Sequence, residues 1–81
     1  NMKTAVVTGG AAGIGAEIVK LLAESGYRIG ILDLDPDAVG RACDGIAGAV
    51  PLVADVTDEA AVSAAFDRLD AAPDLVVNNA G

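Results

Sequence analysis

Residues Thr8 to Gly15 read Thr-Gly-Gly-Ala-Ala-Gly-Ile-Gly. Such a run grips anions when a strand leads into it and a helix leads out. The first-turn N–H groups of a helix lack intrahelical acceptors, and the positive end of the helix dipole adds to their pull on a phosphate. Glycines at Gly9, Gly13 and Gly15 let a diphosphate approach the backbone where a Cβ would block it. Asp33 supplies a second kind of chemistry. A carboxylate at the end of the next strand accepts hydrogen bonds from vicinal sugar hydroxyls and repels a phosphate on the same sugar. Ala11, Ala12 and Leu34 put no basic residue near it. The combination points to a dinucleotide, with NAD preferred over NADP.

Other chemistries are excluded by what the chain lacks. There is no histidine and a single cysteine, Cys43. A Ser-His-Asp arrangement and a His/Cys zinc site are thereby removed, and no metal ligand set is expected. Nothing beside Cys43 in sequence lowers its pKa, so it reads as a small buried hydrophobe. The lack of a disulfide fits a reducing, cytoplasmic setting.

These groups need a scaffold, and the pattern alternates strand and helix. A β-branched run over 3–8 leads into the glycine turn. Ile14, Ile18, Leu21 and Leu22 then recur at helical spacing, predicting one buried face that includes the Ile14 side chain. Gly26 closes that helix as a left-handed cap. A second strand is predicted over 28–33. Asp35 caps a short helix with Pro36 in its first turn, and Val39, Ala42 and Cys43 turn toward the sheet, although Gly40 weakens it. A turn over 45–48 leads to a third strand over 49–54, where Pro51 suggests an edge position. Thr57 is expected to cap a third helix, with Asp58 and Glu59 complementing its dipole and Val62, Phe66 and Leu69 forming its buried stripe. Pro73 precedes a fourth strand over 75–78.

The order β-α-β-α-β-α-β with continuous apolar strands predicts an α/β fold: a Rossmann-type parallel sheet with helices on both faces. Right-handed crossovers give the strand order 3-2-1-4, the first four strands of a larger doubly wound domain. Residues 2–81 are taken as this dinucleotide-binding half, and Asn1, ahead of Met2, is set aside as foreign to it.

The bulk numbers agree. The 81 residues are 53% apolar, enough for a small core of marginal stability. Twelve acids against five bases give a net charge of −7, which argues against nucleic acid and anionic membranes as partners. No apolar run reaches the roughly 20 residues of a membrane span.

The motif Thr8-Gly9-x-x-x-Gly13-x-Gly15 resembles the cofactor loop of the short-chain dehydrogenase/reductase family. Asn78-Asn79-Ala80-Gly81 is similar to that family's second signature, and Asp55-Val56 to its adenine-contacting pair. The resemblance implies an oxidoreductase that moves hydride between a nicotinamide cofactor and an alcohol or carbonyl substrate. It also implies a homo-oligomer. Across the chain, the implied cofactor-binding residues are Gly9, Gly13, Ile14, Gly15, Asp33, Leu34, Asp55, Val56, Asn79, Ala80 and Gly81. Ile14 acts through its amide, Asp55 accepts from the adenine amino group, and Asn79 to Gly81 line the nicotinamide side. Thr8 is expected to steady the turn through a local hydrogen bond, and Asn78 to tie the sheet together.

The family's chemistry also uses a serine and a Tyr-x-x-x-Lys pair. Here Tyr27 is followed four places later by Ile31, and it opens the second strand at the end away from the glycine turn. Ser25 shares that end, and Ser63 falls on a helix. No residue of this chain is therefore expected to transfer a proton, and the catalytic groups are expected beyond Gly81, where the fourth strand offers an open edge. A second reading stays open on the same ground: a non-catalytic nucleotide-binding or assembly module. A methyl-donor-binding Rossmann enzyme also uses a glycine loop and an acid after the second strand, but the Asn-Asn-Ala-Gly turn speaks against it.

Overall fold

The computed structural model describes residues 2–69 and 72–79. Four strands, β1 (Thr4–Thr8), β2 (Arg28–Asp33), β3 (Val50–Val53) and β4 (Leu75–Asn78), alternate with three helices, α1 (Gly13–Glu24), α2 (Pro36–Asp44) and α3 (Glu59–Phe66). The strands form one parallel sheet in the order β3-β2-β1-β4. The predicted order and helix-covered parallel architecture are both present. Thr8 pairs with Leu32 on one side and Asn78 on the other, so the ends of β1, β2 and β4 lie level. Pro51 lies on β3 at the sheet edge, where its missing N–H costs no ladder bond.

Side chains alternate across a strand, and the core divides accordingly. Val6, Leu32 and Leu52 face one side and pack with Ala54, Ala65 and Leu69, with Ala61 and Phe66 of α3 against them. Ala5, Val7, Ile29 and Ile31 face the other and pack with Val19 of α1, with Ala42 and Cys43 of α2 against them. The Cys43 thiol sits above its ordinary pKa, through burial first and the Asp44 charge second. It packs against this cluster but is only partly buried, less than the sequence suggested.

Helix α1 ends as its glycine predicts. Gly26 has φ 93°, its N–H donates to the Ala23 carbonyl, and the Tyr27 N–H donates to the Leu22 carbonyl. This is the paired hydrogen-bond closure of a Schellman motif.

Three expectations fail. Ile14 is 75% exposed and Leu21 64% exposed; the face of α1 against the sheet is instead Gly15 and Val19, with Ile18, Leu22 and Ala23 partly buried. Helical spacing identifies a stripe, but the helix is rotated by the contact of Gly15 with the glycine turn. Asp58, not Thr57, caps α3, its Oδ1 accepting from the Ala61 N–H at 3.1 Å. The buried side of α3 runs through Ala61, Ala65 and Phe66 in place of Val62, and Leu69 packs from the turn beyond the helix.

Candidate dinucleotide-binding site

The ends of the parallel strands and the start of α1 meet at one end of the sheet. The chain leaves β1 at Thr8 and reverses through Gly9, whose φ is 65°. The Gly9 and Gly10 N–H groups both donate to the Leu32 carbonyl, at 2.8 and 3.4 Å, which pins the turn to the end of β2. Gly13 enters the helix with φ 61°, a conformation that costs an L-residue about 1–2 kcal/mol.

A Cβ on Gly15 would collide with the Gly9 carbonyl oxygen and come within 2.8 Å of Asn79 Nδ2. The close approach of α1 to the turn thus depends on a bare Cα. The helices differ at their starts. Asp35 Oδ1 accepts from the Asp37 and Ala38 N–H groups of α2, and Asp58 serves α3, but the N-cap of α1 is Ala12, with no side-chain acceptor. The start of α1 at Ala12, Gly13 and Ile14 is exposed and carries no side-chain cap, an arrangement suited to an anion.

Asp33 ends β2 half-buried. Its Oδ2 accepts from the Ala11 N–H at 3.2 Å and its Oδ1 from the Leu34 N–H at 2.8 Å. The carboxylate is therefore tied to the glycine turn itself. A recess of about 200 Å³ opens beside it, lined by Gly9, Asp33, Leu34, Ala54, Asp55 and Val56. Leu34 and Val56 are apolar side chains left 65% and 40% exposed, as the walls of a slot for a flat ring would be. Asp55 Oδ1 accepts from both the hydroxyl and the N–H of Thr57, at 2.7 and 2.9 Å, and these two bonds hold its carboxyl below the ordinary value.

At the β4 side, the Thr8 hydroxyl accepts from the Asn79 N–H at 3.0 Å and lies 3.3 Å from both the Val77 carbonyl and Asn78 Oδ1. Thr8 thus fastens β1 to β4. Asn78 takes part in the tie between strands, and Asn79 Nδ2 reaches the Gly9 carbonyl at 3.4 Å. Because the Asn79 N–H is engaged by Thr8, its carbonyl and side chain are what remain for contact. Ala80 and Gly81 lie outside the described residues.

The structure therefore brings Gly9, Asp33, Leu34, Asp55 and Val56 around one recess, with Gly13, Ile14 and Gly15 at the adjoining start of α1 and Asn79, just after β4, against Gly9. Ala11 and Thr57 were missed as functional candidates. The spacing Asp55-x-Thr57 is an Asx-turn signal that could have revealed the second; the first needs the sheet. Tyr27 lies elsewhere, on a more open hollow of about 370 Å³ with Met2, Lys20, Glu24 and Ile46. Size does not make that hollow the site, since it lies away from the strand ends that carry the converging polar groups. Among the described residues, no group of three or more His, Cys, Asp or Glu could hold a metal, and no helix is long and apolar enough to cross a membrane.

Comparison with known proteins places this geometry in context. The family described as short chain dehydrogenase matches residues 3–81. Galactitol 2-dehydrogenase (L-tagatose-forming) of Cereibacter sphaeroides is 44% identical over 95% of the chain, which covers 32% of that protein. L-fucose dehydrogenase of Bos taurus is 44% identical over 98% of the chain, which covers 30% of it. Among solved structures, a 3-oxoacyl-[acyl-carrier protein] reductase with bound NAD from Brucella melitensis superposes with a TM-score of 0.90 at 39% identity, over 98% of this chain and 32% of that one. The Pseudomonas aeruginosa RhlG/NADP complex superposes with a TM-score of 0.86 at 34% identity, over 98% and 34%. The chain thus spans about a third of the length of the proteins it resembles.

Proposed function

The chain belongs to the short-chain dehydrogenase family, and from that premise we propose that residues 2–81 are the NAD(H)-binding part of an oxidoreductase acting on an alcohol/carbonyl pair. The observation that carries the cofactor choice is the Asp33 carboxylate, held at the end of β2 by the Ala11 N–H. It stands where two sugar hydroxyls can donate to it and where a sugar phosphate would meet a like charge. The five bases are Lys3, Lys20, Arg28, Arg41 and Arg68, and none lines the recess. NADP is correspondingly disfavoured.

The residues fit the dinucleotide part by part. Amides at Gly13 and Ile14 hold the diphosphate, and the bare Gly9 and Gly15 give it room. Asp33 takes the adenosine ribose, and Leu34 and Val56 flank the adenine. Asp55 accepts from the adenine amino group, with the Val56 amide as a donor to a ring nitrogen. Asn79, Ala80 and Gly81 border the nicotinamide side. When bound, the nicotinamide supplies the hydride acceptor or donor. This chain's residues bind and orient it.

The substrate is proposed as a small alcohol or carbonyl compound and the whole protein as a cytoplasmic homo-oligomer. Titration of the whole protein with NADH, followed by nicotinamide fluorescence, tests the reading: saturable enhancement is expected, and none at millimolar NADH removes it. The placement of Tyr27, Ser25 and Ser63 away from the recess favours a second reading, a nucleotide-binding or assembly module without catalysis. Binding of NADH without turnover of any alcohol or ketone panel would favour that module.

A further inference from the structure

We propose that Thr57 is a positioning residue that presents the Asp55 carboxylate to the base and so makes the recess selective for a 6-amino purine. The inference rests on the nucleotide reading above. Thr57 is not needed where the sequence would use it, because Asp58 caps α3. Its hydroxyl and N–H instead converge on one oxygen, Asp55 Oδ1, at 2.7 and 2.9 Å. The Asp58 N–H closes the same turn on the Asp55 carbonyl at 3.0 Å. Asp55 is exposed, and an exposed aspartate with no such partners samples several rotamers. Two donors on one oxygen select one of them. Oδ2 takes no hydrogen bond from a described residue, and Asp55 lines the recess with Asp33, Leu34 and Val56.

Near neutral pH an exposed aspartate is an anion that only accepts. A fixed acceptor at this rim favours a purine whose 6-substituent donates. It disfavours one bearing a carbonyl there, whose lone pairs would face the carboxylate. Removing the Thr57 hydroxyl leaves Oδ1 with the Thr57 N–H alone and so loosens the carboxylate without emptying the recess, and the loss falls on base discrimination rather than on dinucleotide binding in general.

The test measures dissociation constants of the whole protein for NADH and for its analogue carrying hypoxanthine in place of adenine, in the wild type, Thr57→Val and Thr57→Ser. The wild type should prefer NADH. Thr57→Val should weaken NADH about threefold to tenfold with little effect on the analogue, and Thr57→Ser should restore the preference. Equal weakening of both ligands by Thr57→Val, or of neither, would overturn the positioning role. So would a wild type that binds both equally, while leaving the nucleotide reading intact. A wild type that binds neither would overturn that reading and this inference together.

Discussion

The backbone N–H of Ala11 donates to Asp33 Oδ2 at 3.2 Å, joining the glycine turn to the carboxylate at the end of β2. The group proposed to read the sugar is thus positioned by the loop proposed to hold the diphosphate. Asp33→Ala should weaken NADH about tenfold or more, since hydrogen bonds to a charged group contribute about 1.5–3 kcal/mol each, and should narrow the gap to NADPH. Asp33→Asn keeps an acceptor for Ala11 while removing the charge, so it should spare more NADH affinity and still admit NADPH. Fluorescence titrations with both cofactors check this; an unchanged NADH/NADPH ratio in both variants would contradict the assignment.

Gly15 and Gly13 need to be glycine for different reasons. At Gly15 an added Cβ meets the Gly9 carbonyl and Asn79; at Gly13 it meets nothing within 4 Å, and only φ 61° is strained. Gly15→Ala should lower unfolding free energy by about 2–3 kcal/mol or more, as an overpacked contact with backbone does. Gly13→Ala should cost about 1–2 kcal/mol. Urea unfolding of both variants distinguishes them, and equal losses would mean that the Gly15 contact relaxes freely.

The Thr8 hydroxyl accepts from the Asn79 N–H while bridging to β4. Thr8→Val preserves shape but leaves that half-buried amide without its acceptor, a loss of about 1–3 kcal/mol. Hydrogen exchange at Asn79 should accelerate in Thr8→Val and recover in Thr8→Ser. Unchanged protection would show that the tie contributes nothing.

Asp55 gives a pH dependence of defined sign. Its carboxyl is lowered below the ordinary 3.8 by the Thr57 hydroxyl first and the Thr57 N–H second. The folded form is the better acid, so the turn's contribution is full above the unfolded value and is lost as pH falls through the lowered folded value. NMR titration of the Asp55 carboxyl should give a midpoint below 3.8 that moves up toward it in Thr57→Val. A midpoint unaffected by the substitution would separate Asp55 from Thr57.

Among the described residues, no strand pairs with the outer side of β4, and Leu75 and Val76 are 37% and 46% exposed. An apolar edge of this kind recruits other strands. The 81-residue chain should self-associate, and Val76→Lys should shift its sedimentation toward monomer. A wild-type chain that sediments as a monomer at all concentrations would refute the role of this edge.

The glycine turn, Asp33, the Asp35 cap and the apolar strands were legible in the sequence because each is a local signal. Turn geometry, capping and continuous apolar runs act over a few residues, and right-handed crossovers turn that pattern into the order 3-2-1-4. The face that α1 buries was not legible: Ile14 and Leu21 share helical spacing with core residues, and only the seating of Gly15 against Gly9 decides the rotation. Nor could the spacing tell that Asp58 would outcompete Thr57 for the cap and leave the threonine to Asp55.

Sequence by itself determined the element types and their order, and which residues carry acceptors and bare Cα atoms. Tertiary structure alone decided which amide meets which carboxylate oxygen, as in Ala11 on Asp33 and Asn79 on Thr8. The reason is range. Hydrogen bonds between residues 22 or 71 apart exist only once strand register has brought their ends level, and register is a property of the assembled sheet.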